Sequence, residues 1–306
     1  MSNEIGHRIH TIVVTFNRKS LLAECLKKLL NQSMDFKYLI VVNNASTDGT
    51  EDYIREMGLF NEKKIIWLNL PENIGGAGGF SAGMKYAFEH GADYVWMMDD
   101  DALPHETALE ELMRHGTSDA IYGSLAVNEE FTAWTTTLLP SLKAVNLKHE
   151  VPYKSEVQSL PFLGFLTSKE IYQKIGLPNE SYFIAADDTE YCMRAHKAGF
   201  KTYICGASQI EHPKSDRYEI NILIKKINFV KLVPWKRYYD TRNRVFIAKT
   251  YYGFKLYTQT IPSLVLRLFA ALVYEGDRKK QIKAFFVGLC DGLSNHAGKR
   301  HDYWNL

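Results

Sequence analysis

Long hydrophobic runs are absent from this sequence. The first ten residues, MSNEIGHRIH, contain no apolar core of the length found in a signal peptide. Nowhere does the chain reach the roughly 18 to 20 uninterrupted apolar residues of a membrane-spanning helix. We therefore expect the body of the protein to fold and remain in the cytoplasm.

Cysteine is also scarce. The four cysteines, Cys25, Cys192, Cys205 and Cys290, lie far apart, in a spacing that fits neither a zinc ribbon nor a dense disulfide framework. We expect buried, reduced thiols, and this excludes thiol redox chemistry as the function.

Two common nucleotide-binding patterns are missing as well. The glycine-rich segment NIGGAGGF at 73–80 matches neither the dinucleotide pattern G-x-G-x-x-G nor the phosphate-binding loop with its lysine. A dehydrogenase and a P-loop nucleotidase therefore lose support. Four glycines between a strand and a helix still let the backbone approach a ligand and present amides at the helix start, the alternative being a tight packing turn.

Charge is distributed unevenly along the chain. Residues 216–306 contain 17 Lys and Arg against 7 Asp and Glu, whereas the first 215 residues contain 20 against 28. Aromatic residues interleave with the basic ones in this tail. Such a segment either contacts an anionic lipid surface or forms a helical core whose charged residues face solvent. A nucleic acid is the least favoured partner.

Apolar periodicity predicts alternating strands and helices over the first hundred residues. IHTIVVT at 9–15 is typical of a buried strand, and apolar residues then recur at helical spacing from 21 to 30. The pattern repeats with strands at 38–42, 64–68 and 94–98 and helices near 50–57 and 78–90. Such alternation predicts a mainly parallel sheet flanked by helices, with ligands bound beyond the carboxyl ends of the strands.

The alternation stops near residue 215. We predict helices at 220–233, 238–252, 263–274 and 279–293, and hence a catalytic domain over 1–215 and a basic helical region over 216–306. The apolar segment 261–274 is short and contains Pro262 and Arg267, which favours a core or interfacial helix over a membrane span.

Three consecutive carboxylates, Asp99, Asp100 and Asp101, directly follow the predicted strand at 94–98. Like charges this close raise one another's pKa or recruit a cation, and alternate residues can face one Mg²⁺ or Mn²⁺ together. The alternative is a solvated turn in which Asp101 caps a helix that starts near Pro104.

A second acidic group, Asp187, Asp188 and Glu190, precedes a helical pattern, so it lies at a helix start where the dipole favours anions. Two adjacent aspartates exceed what capping requires, which favours a general base near the mouth of a site. His212 follows a predicted strand, and a lone histidine is more often structural than a ligand.

Five segments, taken in order, resemble the inverting family-2 glycosyltransferases with a GT-A fold. They are VVTFNR (13–18), VVNNASTDGT (41–50), NIGGAGGF (73–80), DDD (99–101) and DDTEY (187–191). The glycine-rich loop, the tripled aspartate, His212 and the run Tyr238-Tyr239-x-x-Arg242-Asn243-Arg244 are most similar to bacterial galactofuranosyltransferases and rhamnosyltransferases of surface polysaccharides. The resemblance covers about residues 9–250.

This resemblance implies a fold, a reaction and roles for individual residues. The fold would be a Rossmann-like α/β domain with a C-terminal helical appendage, and the reaction would be one displacement that inverts the anomeric centre. Asp188, beside Asp187, would be the general base for the acceptor hydroxyl. Mn²⁺ or Mg²⁺ would be held by Asp99, Asp101 and His212. The nucleotide and its diphosphate would be bound by Thr15, Asn17, Arg18, Asn43, Asp48, Gly76, Gly78, Gly79, Asp99 and Asp100.

The resemblance also implies partners. The donor would be UDP-galactofuranose, with dTDP-rhamnose next, and the acceptor would be a glycan, most simply a lipid-linked one. The basic tail would contact the inner face of the cell membrane, with a homo-oligomer contact as its alternative use. We expect no nucleic acid partner.

Two residues depart from the family pattern. Asn43 stands where the family commonly has an acid that meets the nucleotide base, and Ala186 stands where an aromatic residue often precedes the acid pair. The donor base and the acceptor pocket therefore stay open. The rival functions are a non-catalytic nucleotide-sugar-binding subunit of a polysaccharide assembly complex and a nucleotidyltransferase, whose usual basic glycine-rich start is missing here.

Overall fold

The chain divides into two units. The structure, a computed structural model, describes residues 8–114, 116–213, 216–222 and 225–306. Unit 1 comprises Met1–Asn179 and Tyr191–Lys214, and unit 2 comprises Glu180–Glu190 and Ser215–Leu306. Residues 1–7, on which the expected lack of a signal segment depends, lie outside the described residues.

Unit 1 alternates strands and helices as the periodicity predicts. The strand at 9–15 is confirmed without change, and the other three predicted strands each extend one residue further at their carboxyl end. The elements are β1 (Ile9–Thr15), α1 (Lys19–Leu30), β2 (Tyr38–Asn43), α2 (Thr50–Glu56), β3 (Ile65–Asn69), α3 (Gly75–Glu89), β4 (Tyr94–Asp99), β5 (Leu103–Pro104), α4 (Ala108–Met113), β6 (Ala120–Asn128), β7 (Phe131–Leu139), β8 (Lys143–Leu147), β9 (Ser155–Val157), β10 (Phe165–Ser168), α5 (Lys169–Ile175), α6 (Asp187–Lys197, which begins in unit 2) and β11 (Lys201–Glu211).

One large mixed sheet runs through unit 1. Its order is β3-β2-β1-β4-β10-β6-β11-β9-β7-β8, and β5 pairs with β11. Strands β1 to β4 are parallel, with Val14 beside Asp99 and Thr15 beside Asn43. Beyond β4 the pairs are antiparallel except for β6 with β11. The carboxyl ends of the four parallel strands therefore share one edge, and the predicted ligand-binding segments follow them.

Both faces of the parallel half are covered. On one face, Val13 and Trp96 pack with leucines of α1, and on the other, Ile12 and Met97 pack with Phe80 and Met84 of α3. This alternation follows from the period of two in a strand. Because a fully buried side chain of this size contributes about 1.5 to 3 kcal/mol, the strand ends that carry the polar residues are held firmly.

The C-terminal part of unit 2 starts with a β-hairpin, so the helix predicted at 220–233 is wrong. Strand β12 (Arg217–Ile222) pairs antiparallel with β13 (Lys225–Val230), and residues 223–224 lie outside the described residues. The sequence RYEINI alternates polar and apolar residues, and its isoleucines are β-branched, so period two and strand propensity prevail over a helical reading.

Three helices complete unit 2, close to the predicted bounds. They are α7 (Pro234–Ile247), α8 (Ile261–Tyr274) and α9 (Arg278–Leu293), with π-helical turns at Ala248–Tyr252 and Leu256–Thr260. Helix α9 approaches α7 closely at glycine, because a Cβ on Gly288 would lie 2.7 Å from the Tyr238 carbonyl oxygen. The basic helical region is thus a packed bundle with a hairpin.

The helical segment Leu256–Tyr274 is longer than the sequence predicts. Its 19 residues are apolar and long enough, by length and composition alone, to cross a membrane, and 22% of its most apolar stretch is buried. The π-helical turn before α8 supplies the extra length, and Arg267 remains its one charged residue.

The cysteine prediction holds for three residues of four. Cys25, Cys192 and Cys205 are buried free thiols, whereas Cys290 is exposed on α9. The prediction was wrong for Cys290 because it lies on the outer face of that amphipathic helix.

Candidate active site

Thr15 and Asp100 meet where β1 and β4 end. The parallel register places Val14 of β1 beside Asp99 of β4. The residues that follow them, Thr15 and Asp100, therefore lie side by side. Thr15 Oγ1 donates a hydrogen bond to Asp100 Oδ2 at 2.7 Å, and both residues are buried. Burial raises the pKa of Asp100 to about 6, although the hydrogen bond from Thr15 and the charge of Arg18 oppose the rise.

Arg18 supplies the counter-charge that three adjacent carboxylates require. Its Nη1 atom lies 3.1 Å from Asp100 Oδ1 and 2.7 Å from Asp101 Oδ2. Burial works against the guanidinium charge, but the two aspartates outweigh it and raise the pKa of Arg18. Arg18 therefore joins the loop after β1 to the acids after β4.

Asp101 also meets His212, from the distant end of β11. Asp101 Oδ1 lies 3.7 Å from His212 Nε2. Within the described parts of the chain, neither Asp101 Oδ1 nor His212 Nδ1 has a hydrogen-bond partner, although both atoms are buried. A buried oxygen or nitrogen without a partner is costly unless a ligand completes it. The helix after this turn starts at Ala108 with Thr107 at its N-cap, so the capping alternative for Asp101 is wrong.

The donor set at Asp101 and His212 fits a divalent metal that a substrate completes. Among the residues that the structure describes, no three His, Cys, Asp or Glu side chains converge as a metal site. Mg²⁺ is usually bound by one or two carboxylates together with substrate phosphates and water, so a full protein cage is not expected. Asp99 is the last residue of β4, and its predicted role in holding the metal stays a prediction.

The predicted nucleotide-binding residues Asn17, Asn43 and Asp48 lie in one hydrogen-bonded network. Asn17 has a left-handed backbone and accepts a hydrogen bond from the Thr47 amide at 2.7 Å. Asn43 is buried and its Oδ1 accepts from the Ser46 amide at 3.0 Å. Asp48 accepts from the Lys19 amide at 3.3 Å. These bonds tie the loops after β1 and β2 together, and contact with a nucleotide stays a prediction.

The glycine-rich segment forms the first turns of α3 instead of a loop before it. A Cβ on Gly78 would lie 2.6 Å from Ile74, and one on Gly79 would lie 2.5 Å from Val14 of β1. Close packing against the residue that precedes the helix therefore explains the glycine at 78, and close packing of the helix on β1 explains the glycine at 79. Gly76 faces open space, so it is the member of the set best placed to approach a ligand.

Asn44 is a site residue that we did not predict. Its Nδ2 donates to the Gly75 carbonyl at 2.9 Å, and its Oδ1 accepts from the Ile74 amide at 2.9 Å. The side chain thereby fixes the start of α3 against the end of β2. The Asn-Asn pair at the end of a predicted strand was the available signal, since a second amide there has no role in the strand itself.

The predicted general base lies in unit 2, at the start of α6 as expected. Asp187 is buried and Asp188 is half-buried in the first turn. Burial raises the pKa of both carboxyl groups, and for Asp187 the neighbouring Asp188 raises it further. Asp188 Oδ1 accepts a hydrogen bond from the Thr189 amide at 2.5 Å. A partly exposed carboxyl group with a raised pKa suits a general base.

The segment before this acid pair has an unusual backbone. Phe183, Ala185 and Ala186 all have positive φ, between 61° and 67°. A left-handed conformation costs a non-glycine residue about 1 to 2 kcal/mol, so neighbouring groups must hold it. The strain lies immediately before the two residues assigned to proton transfer.

Arg242 and Asn243 of α7 hold that segment. Asn243 Nδ2 lies within hydrogen-bond distance of three carbonyl oxygens, those of Tyr182 (3.0 Å), Ile184 (2.7 Å) and Ala185 (2.8 Å). Arg242 donates to the Tyr182 carbonyl at 2.8 Å, and both side chains are fully buried. The run that carried part of the resemblance therefore positions the acid pair, a role that the sequence did not predict.

Residues 11–175, more than half of the 306-residue chain, match the family described as glycosyl transferase family 2. The chain belongs to this family. Its first four parallel strands, with acids and amides at their carboxyl ends, are the part covered by the match. As a family-2 glycosyltransferase with the GT-A fold, it is an enzyme, and its expected partners are a nucleotide-sugar donor and a glycan acceptor.

Two curated relatives show which branch of the family 2 glycosyltransferases it is similar to. Galactofuranosyltransferase GlfT1 of Mycobacterium tuberculosis is 29% identical over 78% of this chain and 81% of its own. The dTDP-rhamnosyl transferase RfbF of Shigella flexneri is 22% identical over 96% of this chain and 98% of its own. The enzyme is thus related to galactofuranosyl and rhamnosyl transferases.

A solved structure supports the fold. GalNAc-T7, crystallised with UDP, GalNAc and Mn²⁺, superposes with a TM-score of 0.63 at 13% identity, over 92% of this chain and 54% of its own. At this identity the likeness shows the GT-A fold alone.

Proposed function

We propose that this protein is a metal-dependent, inverting glycosyltransferase that extends a lipid-linked glycan of a cell-surface polysaccharide. The observation that supports it most is the meeting of Asp101 and His212, each with a buried atom that lacks a hydrogen bond among the described residues, beside the end of β4. In a family-2 chain this position suits the diphosphate of a nucleotide sugar.

The proposed donor is UDP-galactofuranose, with dTDP-rhamnose next. The similarity to a galactofuranosyltransferase and to a dTDP-rhamnosyl transferase supports both donors. Asn43 bears on the choice of base, because its amide both accepts and donates hydrogen bonds. In the structure its Oδ1 is already engaged by Ser46, and its Nδ2 lies 3.5 Å from Glu51.

In the proposed reaction, Asp188 takes the proton of an acceptor hydroxyl as that oxygen attacks the anomeric carbon. The bond from the anomeric carbon to the diphosphate oxygen breaks on the opposite face, so the configuration inverts. Asp99, Asp101 and His212 would hold Mn²⁺ or Mg²⁺, which when bound neutralises charge on the departing diphosphate. Asp187, whose pKa is raised by burial and by the charge of Asp188, would assist Asp188 in this proton transfer.

The proposed location is cytoplasmic, peripheral on the inner face of the cell membrane. Helix α8 supports it, because Phe269 and Val273 are 64% and 66% exposed, one helical turn apart. A helix that is apolar on its outer as well as its inner face suits contact with lipid. A homo-oligomer contact is the alternative use of this face.

A donor screen tests the proposal. Purified protein with Mn²⁺ is offered UDP-galactofuranose, dTDP-rhamnose and UDP-glucose, each with a lipid-linked glycan extract, and nucleoside diphosphate release is measured. We expect release with UDP-galactofuranose first and dTDP-rhamnose next, lost on adding EDTA. Absence of hydrolysis and transfer with every donor contradicts the proposal, and binding of UDP without any turnover favours a non-catalytic subunit.

A further inference from the structure

Unit 2 contains a cavity of about 180 Å³ whose wall is rich in arginine. It lies between the hairpin and helices α7 and α8, and its lining includes Tyr218, Phe229, Arg237, Asp240, Arg244 and Arg267. Three guanidinium groups face one carboxylate in this lining. Such an excess of positive charge around a small space is the first sign of an anion site.

Two of the three arginines have partners. Arg237 forms a buried ion pair with Glu275 at 2.7 Å, and Arg244 pairs with Asp240 at 2.7 Å. Arg267 differs, because within the described residues of the chain it forms neither an ion pair nor a hydrogen bond. Its nearest aromatic contact is the Phe229 ring, 5.6 Å from the guanidinium carbon.

Arg267 and Arg244 also affect one another. Burial lowers the pKa of Arg267, and the charge of Arg244 lowers it further, against the opposing effect of Asp240. Two guanidinium groups held this close in a partly enclosed space repel each other, and an unpaired charge there is costly. A dianionic ligand between them would remove both costs.

The size and geometry of the cavity indicate the class of that ligand. Sites for whole drug-sized ligands occupy roughly 300 to 1,000 Å³, so this cavity is too small for a nucleotide sugar. Guanidinium groups present parallel N–H donors that match phosphoryl oxygens. We propose that the cavity binds a phosphoryl group, namely that of the diphosphate that joins the acceptor glycan to its lipid.

Two further observations connect the cavity to an acceptor, and this connection rests on the proposed function. Arg244 lies close enough to Asp188 for their charges to affect each other's pKa, so the part of the cavity wall that Arg244 forms is near the proposed base. Helix α8, which carries Arg267, exposes Phe269 and Val273 on its outer face. Unit 2 thus contains a cavity suited to the phosphoryl group, an apolar surface suited to the lipid, and the proposed base for the acceptor hydroxyl.

Binding of inorganic diphosphate to the full chain tests the site without any donor. Titration calorimetry is done in excess EDTA, which removes divalent metal, on the unaltered protein, Arg267→Gln, Arg267→Lys and Arg278→Gln. Arg278 is exposed at the start of α9, outside the cavity lining, and serves as the matched control. We expect Arg267→Gln to weaken diphosphate binding at least tenfold. Arg267→Lys should weaken it less, because lysine keeps the positive charge but lacks the parallel N–H donors of a guanidinium group. Arg278→Gln should change the affinity less than twofold.

Equal binding by Arg267→Gln and the unaltered protein overturns the site. Melting temperature and far-UV circular dichroism check that each variant is folded, and if Arg267→Gln is not, Arg267→Lys decides, with unchanged affinity again overturning the site. Because no donor or transfer is involved, failure here is distinguishable from failure of the proposed glycosyl transfer.

Vesicles decide between a lipid-linked and a free phosphoryl group. Phosphatidylcholine vesicles carry either a polyprenyl diphosphate or phosphatidylglycerol at equal total charge, and co-sedimentation is measured. We expect stronger binding to the polyprenyl diphosphate vesicles, reduced in Arg267→Gln and not in Arg278→Gln. Equal binding to both vesicles, or binding unaffected by Arg267→Gln, overturns the lipid-linked source.

Discussion

In unit 1, Asp100 and Asp101 form ion pairs with Arg18, whereas in unit 2 neither Asp187 nor Asp188 forms an ion pair with an arginine among the described residues, although the charge of Arg244 lowers the pKa of Asp188. Asp100 and Asp187 are similarly buried, yet Arg18 and Thr15 oppose the rise in the pKa of Asp100, while Asp188 adds to the rise for Asp187. The same residue type therefore has two different electrostatic environments in the two units. A carboxylate beside a cation stays charged and suits metal or diphosphate, and a desolvated carboxyl pair suits the transfer of a proton.

The largest expected effect comes from removing the proposed base. Asp188→Asn is nearly isosteric, so we expect donor binding to persist while glycosyl transfer falls by about a hundredfold or more, since general base catalysis commonly contributes that much. The measurements are transfer rate and UDP affinity. Asp302→Asn, an exposed acid of unit 2, is the control, and wild-type transfer in Asp188→Asn removes that residue from the mechanism.

Substitutions at the acids and histidine of unit 1 should weaken metal binding and not proton transfer. Asp101→Asn and His212→Ala each remove one of the two ligand types that meet, so we expect Mn²⁺-dependent UDP binding to weaken about tenfold or more. Titration of Mn²⁺ in the presence of UDP, followed by electron paramagnetic resonance, measures it. His149→Ala changes an exposed histidine and should have no effect. Unchanged Mn²⁺ affinity in both variants would show that Asp101 and His212 do not bind the metal.

A substitution at Asn243 tests whether this residue acts by positioning Asp188. Asn243→Ala removes hydrogen bonds from the left-handed segment, so Asp188 loses its fixed position and kcat should fall about 10- to 100-fold while the KM for donor is unchanged. Steady-state kinetics with each substrate varied in turn measures the effects on kcat and on KM separately. Asn228→Ala, at an exposed position of β13, is the matched control. An unchanged kcat in Asn243→Ala means that the segment holds its shape without this residue.

The smallest expected effect concerns stability and separates acid unfolding from acid inhibition. His10 is buried in β1 without a hydrogen-bond partner for either ring nitrogen among the described residues, and burial lowers its pKa to about 4. The unfolded chain therefore binds more protons between pH 4 and 6.5, and stability falls as pH drops through this window, by on the order of 1 kcal/mol.

Urea unfolding at several pH values measures this effect. His10→Leu should flatten the dependence, whereas His149→Gln, at an exposed position, should not. An unchanged pH dependence in His10→Leu would assign the loss of stability to other groups. The activity that His10→Leu loses at low pH then no longer includes unfolding caused by protonation of His10.

Sequence patterns were most informative where contacts are local or follow from register. The parallel strands follow from runs such as IHTIVVT, and the meeting of Thr15 with Asp100 follows once β1 and β4 are neighbours. The hairpin at 217–230 was misread because its isoleucines also fit a helical period, and only pairing with a second strand decides between the two. The strands between 120 and 157 were not predicted at all.

Contacts across long stretches of chain were beyond prediction. Asn243 reaches carbonyl groups about sixty residues earlier, and His212 reaches an acid more than a hundred residues earlier. Hydrophobic periodicity predicts local secondary structure and carries no information on contacts between residues so far apart in sequence. The family resemblance pointed to both residues, but only the fold shows that one binds backbone and the other approaches a carboxylate.

The left-handed backbone at Ala185 and Ala186 has a consequence for heat resistance. Glycine adopts that conformation without a steric penalty, so glycine at either position would relieve backbone strain. The same change would loosen the approach to α6 and let its carboxyl groups occupy more orientations. A more heat-resistant variant made in this way would therefore hold the two carboxyl groups less firmly.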